Sequence, residues 1–232
     1  MYFRGENRSQ KQTSEIWPEN LCVKISHVTK NFGEERVLRE VNLTLETGKV
    51  YGIVGNNGSG KTVLMKCILG FLPVSTGSIY VFGKKIGKDV DFPENLGAII
   101  ETPGFLSNLT GRKNLEILAS LNRKISREEI GKVLEKVGLD PHMKKLVGKY
   151  SLGLRQRLGI AQAIMEDPKL LILDEPFNGL DKQGVEEIRK ILLELKAEGK
   201  TILLASHNEE DIRLLCDQVF LMDGGVLKER KE

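Results

Sequence analysis

The sequence predicts an α/β fold: a mostly parallel sheet covered by helices, with an N-terminal antiparallel β subdomain and an inserted α-helical subdomain. Three observations carry this expectation. Short apolar runs without polar alternation recur at 49–54, 96–100, 169–173 and 201–205. Such runs are the pattern of strands buried on both faces. Helical periodicity lies between them, as in Val185, Ile188, Ile191, Leu192 and Leu195 on one face. Finally, the octapeptide Gly55-Asn56-Asn57-Gly58-Ser59-Gly60-Lys61-Thr62 sits between the first such strand and a following helix.

The elements follow in order. Residues 21–28 alternate in the strand period, as do residues 41–46, and the two pair across a loop containing Gly33. Together they predict the antiparallel subdomain. The strand at 49–54 leads through the Gly-rich loop into a helix at 63–69, closed by Gly70. A Gly- and Pro-punctuated stretch at 70–87 holds the strand 78–82, and 96–100 is another buried strand. From Thr110 to Gly148 the chain is charged, has helical periodicity and lacks strand signals. Thr110 and Ser126 read as helix N-caps, Ser126 and Glu129 as a capping box, and Gly138 as a helix stop. With the helix expected at 151–166, this predicts a helical subdomain over about 102–165. It lies inside a single domain spanning 21–232. Residues 1–20 are polar and aperiodic, and are expected to form a mobile tail.

Composition narrows the function classes. Of the 232 residues, 40% are hydrophobic and 29% charged, as in ordinary globular proteins. The net charge of +3 is too slight to argue for a nucleic-acid partner, and none is expected. The three cysteines, Cys22, Cys67 and Cys216, are far apart in apolar stretches. They suit buried thiols in a reducing cytosol better than a disulfide framework or metal site. No apolar run approaches the ~20 residues that cross a bilayer. The first residues carry charge where a signal peptide needs an apolar stretch. Any service to a membrane is therefore expected to run through a partner.

The chemistry begins at the octapeptide, which fits G-x-x-x-x-G-K-[ST], the phosphate loop of P-loop NTPases. A strand–loop–helix unit aims backbone N–H groups and the positive end of a helix dipole at one point. Lys61 is expected to reach the β- and γ-phosphates of ATP, and the Thr62 hydroxyl to ligate Mg²⁺. A second feature matches it: the apolar strand 169–173 delivers Asp174 and Glu175 at its C-terminal end. In parallel sheets, ligands collect at that end. Asp174 is expected to hold Mg²⁺, and Glu175 to polarise the water that attacks the γ-phosphate.

Between these motifs runs Tyr150-Ser151-Leu152-Gly153-Leu154-Arg155-Gln156-Arg157. This segment resembles the signature motif of ATP-binding cassette (ABC) ATPases, usually Leu-Ser-Gly-Gly-Gln before a basic helix. Other matches follow in the family's order. Asn178-Gly179-Leu180-Asp181 resembles the D-loop, which implies that Asp181 lies near nucleotide. Ser206-His207 resembles the switch histidine, a γ-phosphate contact. Phe32 stands where the family stacks an aromatic ring on adenine. The resemblance runs from about residue 21 to the C-terminus. It implies head-to-tail cassette pairs, with Ser151 and Gly153 binding the γ-phosphate held by the other copy. Ser151 also reads independently as the N-cap of its helix.

The sequence departs from the family pattern at two places. Leu152 and Leu154 stand where Gly and Gln are usual. Glu101 stands where a Q-loop glutamine usually senses Mg²⁺ and the membrane partner; a carboxylate remains a hard oxygen donor for the metal. Both departures resemble the bacitracin- and lantibiotic-resistance exporter ATPases. That resemblance implies an ATP-hydrolysing subunit, a second cassette, and an integral permease on the cytoplasmic face of the membrane. The segment 102–125, with its apolar Pro103-Gly104-Phe105-Leu106, is expected to face that permease. The alternative is a soluble ABC ATPase serving as a cytosolic assembly scaffold.

Overall fold

The computed structural model describes residues 17–101 and 104–230; most of the expected tail, and Thr102 and Pro103, lie outside the described residues. The N-terminal half contains β1 (Leu21–Phe32), β2 (Glu35–Glu46), β3 (Val50–Val54), α1 (Lys61–Ile68), β4 (Thr76–Val81), β5 (Lys84–Lys85) and β6 (Leu96–Ile99). The helices α2 (Gly111–Asn122), α3 (Arg127–Lys136) and α4 (Leu152–Ile164) follow. The chain closes with β7 (Leu170–Asp174), α5 (Lys182–Ala197), β8 (Thr201–Ala205), α6 (Glu209–Leu215), β9 (Gln218–Asp223) and β10 (Val226–Glu229).

Two sheets form. The larger has the order β10-β9-β3-β8-β7-β6, parallel except for the β9–β10 hairpin at its edge. Strands β3, β7 and β8 are buried throughout, as their unbroken apolar runs require. The smaller sheet, β2-β1-β4-β5, is antiparallel. Its first two strands extend past the alternating runs of the sequence. Polar residues continue the ladder to the turn, with Lys30 opposite Leu38 and Phe32 opposite Glu35. Backbone pairing persists there after the apolar alternation has faded.

One face of the parallel sheet packs against α4, α5 and α6 through Leu171, Leu173, Ile202 and Leu204. Apolar residues of α2 and α3, among them Leu115, Ile130 and Leu134, belong to the same cluster. The helices at 111–164 thus share the sheet's core rather than enclosing one of their own. The other face, through Tyr51, Ile53, Ile172 and Leu203, meets α1 and the antiparallel sheet. A β layer therefore covers much of the face that alternation alone assigned to helices. Trp17 joins this layer: its indole N–H donates to the Leu21 carbonyl at 2.7 Å, and its ring lies 6.0 Å from Tyr80.

Local signals account for the helix ends. Thr110, Ser126, Ser151 and Asp181 each cap a helix with a side-chain oxygen, and Ser126 with Glu129 completes a capping box. Gly138 takes a left-handed φ of 74° just past α3. Cys22 and Cys67 are buried free thiols and Cys216 is half-buried. Burial pushes Cys22 and Cys216 up to about 12 and Cys67 to about 11. Among the described residues, no helix is long and apolar enough to cross a membrane.

The seam between β6 and α4 fixes how the signature helix sits. A Cβ at Gly97 would stand 1.8 Å from the Ala163 carbonyl oxygen, backbone against backbone. Gly97→Ala is expected to destabilise the fold by about 3 kcal/mol, since a packed interior resists added volume. Urea unfolding checks this; an unchanged midpoint would show that the seam yields freely.

Candidate functional site

The phosphate loop is built by close approach. A Cβ at Gly55 would lie 2.2 Å from the Met222 carbonyl oxygen, so the loop passes β9 at a distance only glycine allows. Gly60, the N-cap of α1, has a left-handed φ of 112° that turns the chain into the helix. Between them, Asn56 accepts from the Ser59 N–H at 3.1 Å, and the Gly225 N–H donates to the Ser59 carbonyl at 3.1 Å. The β9–β10 turn thus clasps the loop. The sequence reading placed nothing there, because that turn carries no motif of its own.

Lys61 is buried, and its ammonium donates to the carbonyls of Gly55 at 2.7 Å and Asn56 at 3.1 Å. The buried Ser59 hydroxyl has no hydrogen-bond partner among the described residues. Buried polar atoms are rarely orphaned, and one inside a nest of N–H groups fits an anionic ligand. Asn57 and Gly58 form the exposed crown of the loop. The Thr62 hydroxyl donates to Asp174 Oδ2 at 2.6 Å, bridging α1 and β7. Two hard oxygen donors side by side, next to a phosphate nest, suit Mg²⁺.

Glu175 follows Asp174 in a left-handed conformation, φ 50°, with its N–H bonded to the Ala205 carbonyl at 3.0 Å. Its Oε2 lies 2.9 Å from His207 Nδ1. The ends of β7 and β8 thus bring together two residues 32 positions apart. Ser206 anchors the histidine loop by donating to Asp211, which in turn pairs with Arg189.

A residue outside the sequence expectations ties this loop down. The buried amide of Gln156 on α4 donates to the carbonyls of Pro176 at 2.9 Å and Glu175 at 3.3 Å. Its one visible signal was a neutral polar residue between Arg155 and Arg157 in an otherwise apolar helix face.

The signature segment packs on the loop that precedes α5. Ser151 caps α4, its hydroxyl accepting from the Leu154 N–H at 3.3 Å. A Cβ at Gly153 would meet the Gly179 carbonyl oxygen at 2.7 Å, and one at Gly179 would meet Leu152 Cγ at 2.4 Å. The unusual Leu152 therefore rests on the D-loop glycine, and Gly153 lets the loop pass. Asp181 turns its carboxylate to its own helix, accepting from Gly184 N–H at 2.8 Å. Phe32 ends β1 half-exposed, with the Lys30 ammonium 4.9 Å from its ring centre. Glu101, φ 57°, pairs with Lys66 on α1 at 2.8 Å. In the apolar stretch after it, Phe105 packs onto the helical core while Leu106 is exposed.

A family profile described as "ABC transporter" matches residues 38–178. The chain belongs to the ABC transporter family. It is 44% identical over 209 residues to the "Bacitracin transport ATP-binding protein BcrA" of Enterococcus faecalis, covering 89% of this chain and 68% of that protein. It is 37% identical over 211 residues to the "Lantibiotic transport ATP-binding protein SrtF" of Streptococcus pyogenes, covering 90% of each. Among solved structures, the ADP conformation of the cassette MJ1267 aligns with a TM-score of 0.76 at 29% identity, over 91% of each chain. A dimeric cassette, MJ0796, bound to ADP and Pi, shares the fold with a TM-score of 0.81 at 24% identity, over 90% of this chain and 98% of that one. This ABC ATPase binds ATP and hydrolyses it.

The Leu152–Gly179 contact makes a prediction. Gly179→Ala is expected to cost about 3 kcal/mol, part from the left-handed backbone and part from collision with Leu152. Adding Leu152→Ala should restore the steric part, about 1–2 kcal/mol, in urea unfolding. Strictly additive losses would show that the two residues do not press on each other.

Proposed function

We propose that this ABC ATPase works as one half of a head-to-tail cassette pair that drives an integral permease exporting peptide antibiotics. The observation that carries the paired reading is the placement of Ser151 and Gly153. Gly153 and Leu152 sit against the chain's own D-loop at Gly179, Ser151 caps α4, and no hydrogen bond joins Ser151 to the chain's own phosphate loop among the described residues. A γ-phosphate bound at one loop is then met by Ser151 and Gly153 of the second copy, with the N-terminus of α4 behind them.

Each chain supplies the rest. Phe32 stacks on adenine, and the amides of residues 55–62 with Lys61 hold the phosphates. Thr62 and Asp174 would hold Mg²⁺, with Glu101 as a further oxygen donor, and the bound metal would supply positive charge to the phosphate oxygens. Glu175 orients the attacking water and accepts its proton. His207 touches the γ-phosphate and, through Nδ1, keeps the Glu175 carboxylate in line. Asp181 sets the D-loop at the pair's interface. The products are ADP and phosphate.

The cargo reading rests on the bacitracin and lantibiotic relatives. For the permease, the surface offers a fitting seat. Phe71 and Phe92, 57% and 60% exposed, meet edge to face 6.0 Å apart. They line a groove of about 400 Å³ with Leu96, Ile100 and Gly104. Exposed aromatics rimming a concave surface suit an apolar helical insertion. On this reading the protein works on the cytoplasmic face of the membrane, held there by its permease.

The test is Glu175→Gln, which removes the base but keeps the volume. ATP binding should persist while hydrolysis falls by about 10²–10⁴-fold, the usual share of general-base catalysis. In size-exclusion chromatography with MgATP the variant should run as a dimer. A variant that binds ATP yet stays monomeric at high concentration would overturn the paired reading.

A further inference from the structure

Glu101 stands where the family pattern usually has a glutamine, and the structure shows what pairs with its carboxylate. The Lys66 ammonium lies 2.8 Å from Glu101 Oε1, in a pair whose side chains are 27% and 64% exposed. Lys66 stands one helical turn after Thr62 on α1. Residues four apart share a helix face with Cβ atoms about 6 Å apart. Helical side chains also lean toward the N-terminus, so Lys66 reaches back toward Thr62. Glu101 meanwhile occupies a left-handed backbone conformation just past β6. The pair thus ties the Glu101 carboxylate to the helix whose first turn carries Thr62, while Thr62 bonds Asp174 instead.

We propose that Lys66 is the positioning residue for Glu101. It holds the carboxylate against α1, in competition with the metal ion that binds with ATP. This rests on the reading of Glu101 as a metal ligand. Lys66 and the divalent cation compete for the same oxygens, and an exposed pair is weak enough to be displaced. Lys66 also offsets the negative charge that Glu101 adds near the phosphates, so two opposed effects of Lys66 must be separated.

A double-variant cycle separates them, with Mn²⁺ as the probe. Mn²⁺ binding to the protein loaded with a non-hydrolysable ATP analogue is followed by electron paramagnetic resonance. Five proteins are compared: the unmodified chain, Lys66→Met, Glu101→Gln, both together, and Lys66→Arg. Glu101→Gln should weaken Mn²⁺ binding. Relative to its effect in the Glu101→Gln background, Lys66→Met should tighten Mn²⁺ binding by about two- to fivefold, the range an exposed ion pair supplies. Lys66→Arg should behave as the unmodified chain. If Glu101→Gln leaves Mn²⁺ binding unchanged, the ligand reading fails and this inference falls with it. If Glu101→Gln weakens binding but Lys66→Met acts alike in both backgrounds, the ligand reading stands and the role of Lys66 is overturned.

Discussion

The hydrogen bond from Thr62 to Asp174, 2.6 Å long, is the contact on which the rest of the site depends. It joins the first turn of α1 to the last residue of β7. These belong to strands that are not neighbours, since β8 lies between β3 and β7. Only a parallel sheet brings their carboxyl ends to one edge in register. Leu170 pairs with Thr201 and Val50 with Ile202, so the three strands end almost level. The loop after β3, the carboxylates after β7 and His207 after β8 then project from the same rim.

A second linkage runs through α4. At its N-terminus, Leu152 and Gly153 interlock with Gly179; one turn on, Gln156 holds the carbonyls of Glu175 and Pro176. In the proposed pair, the segment that faces the other cassette is thus fastened to the segment carrying Glu175, and these contacts are the route by which a shift of α4 would reach the Glu175 loop. The Gly97–Ala163 approach anchors the other end of the helix to β6, the strand that leads to Glu101. Helix α4 thus connects the Ser151–Gly153 segment, the Glu175 loop and the strand that leads to Glu101.

The sequence was most informative where chemistry restricts residue type. The phosphate loop needs glycine for its shape, and the carboxylate pair must follow a buried strand, so both were legible. Helix caps were legible for the same reason, since a capping oxygen must stand at one position. Elements whose residues are set by tertiary contact were less so. Strands β9 and β10 are short, and β10 is exposed at the sheet edge, which leaves little periodic signal. The covering of one sheet face by another sheet cannot be read from either alone, because a buried strand looks the same under helix or strand. Gln156 and Lys66 act through partners about 20 and 35 positions away in sequence, beyond any local pattern. The Glu175–His207 contact was expected only as two separate motifs; their pairing is a product of the sheet order.

In the proposed pair one chain carries two half-sites, and ATP is hydrolysed only where the phosphate loop of one copy meets the signature of another. Complementation tests this directly. Lys61→Ala destroys the nucleotide half and Ser151→Ala the signature half, so each chain alone should be inactive. Mixed in equal amounts and allowed to exchange, the two should recover measurable ATPase activity, because one of the two sites in each mixed pair is then intact. A mixture that stays as inactive as its components would contradict the account, as would a Ser151→Ala chain that hydrolyses ATP normally by itself.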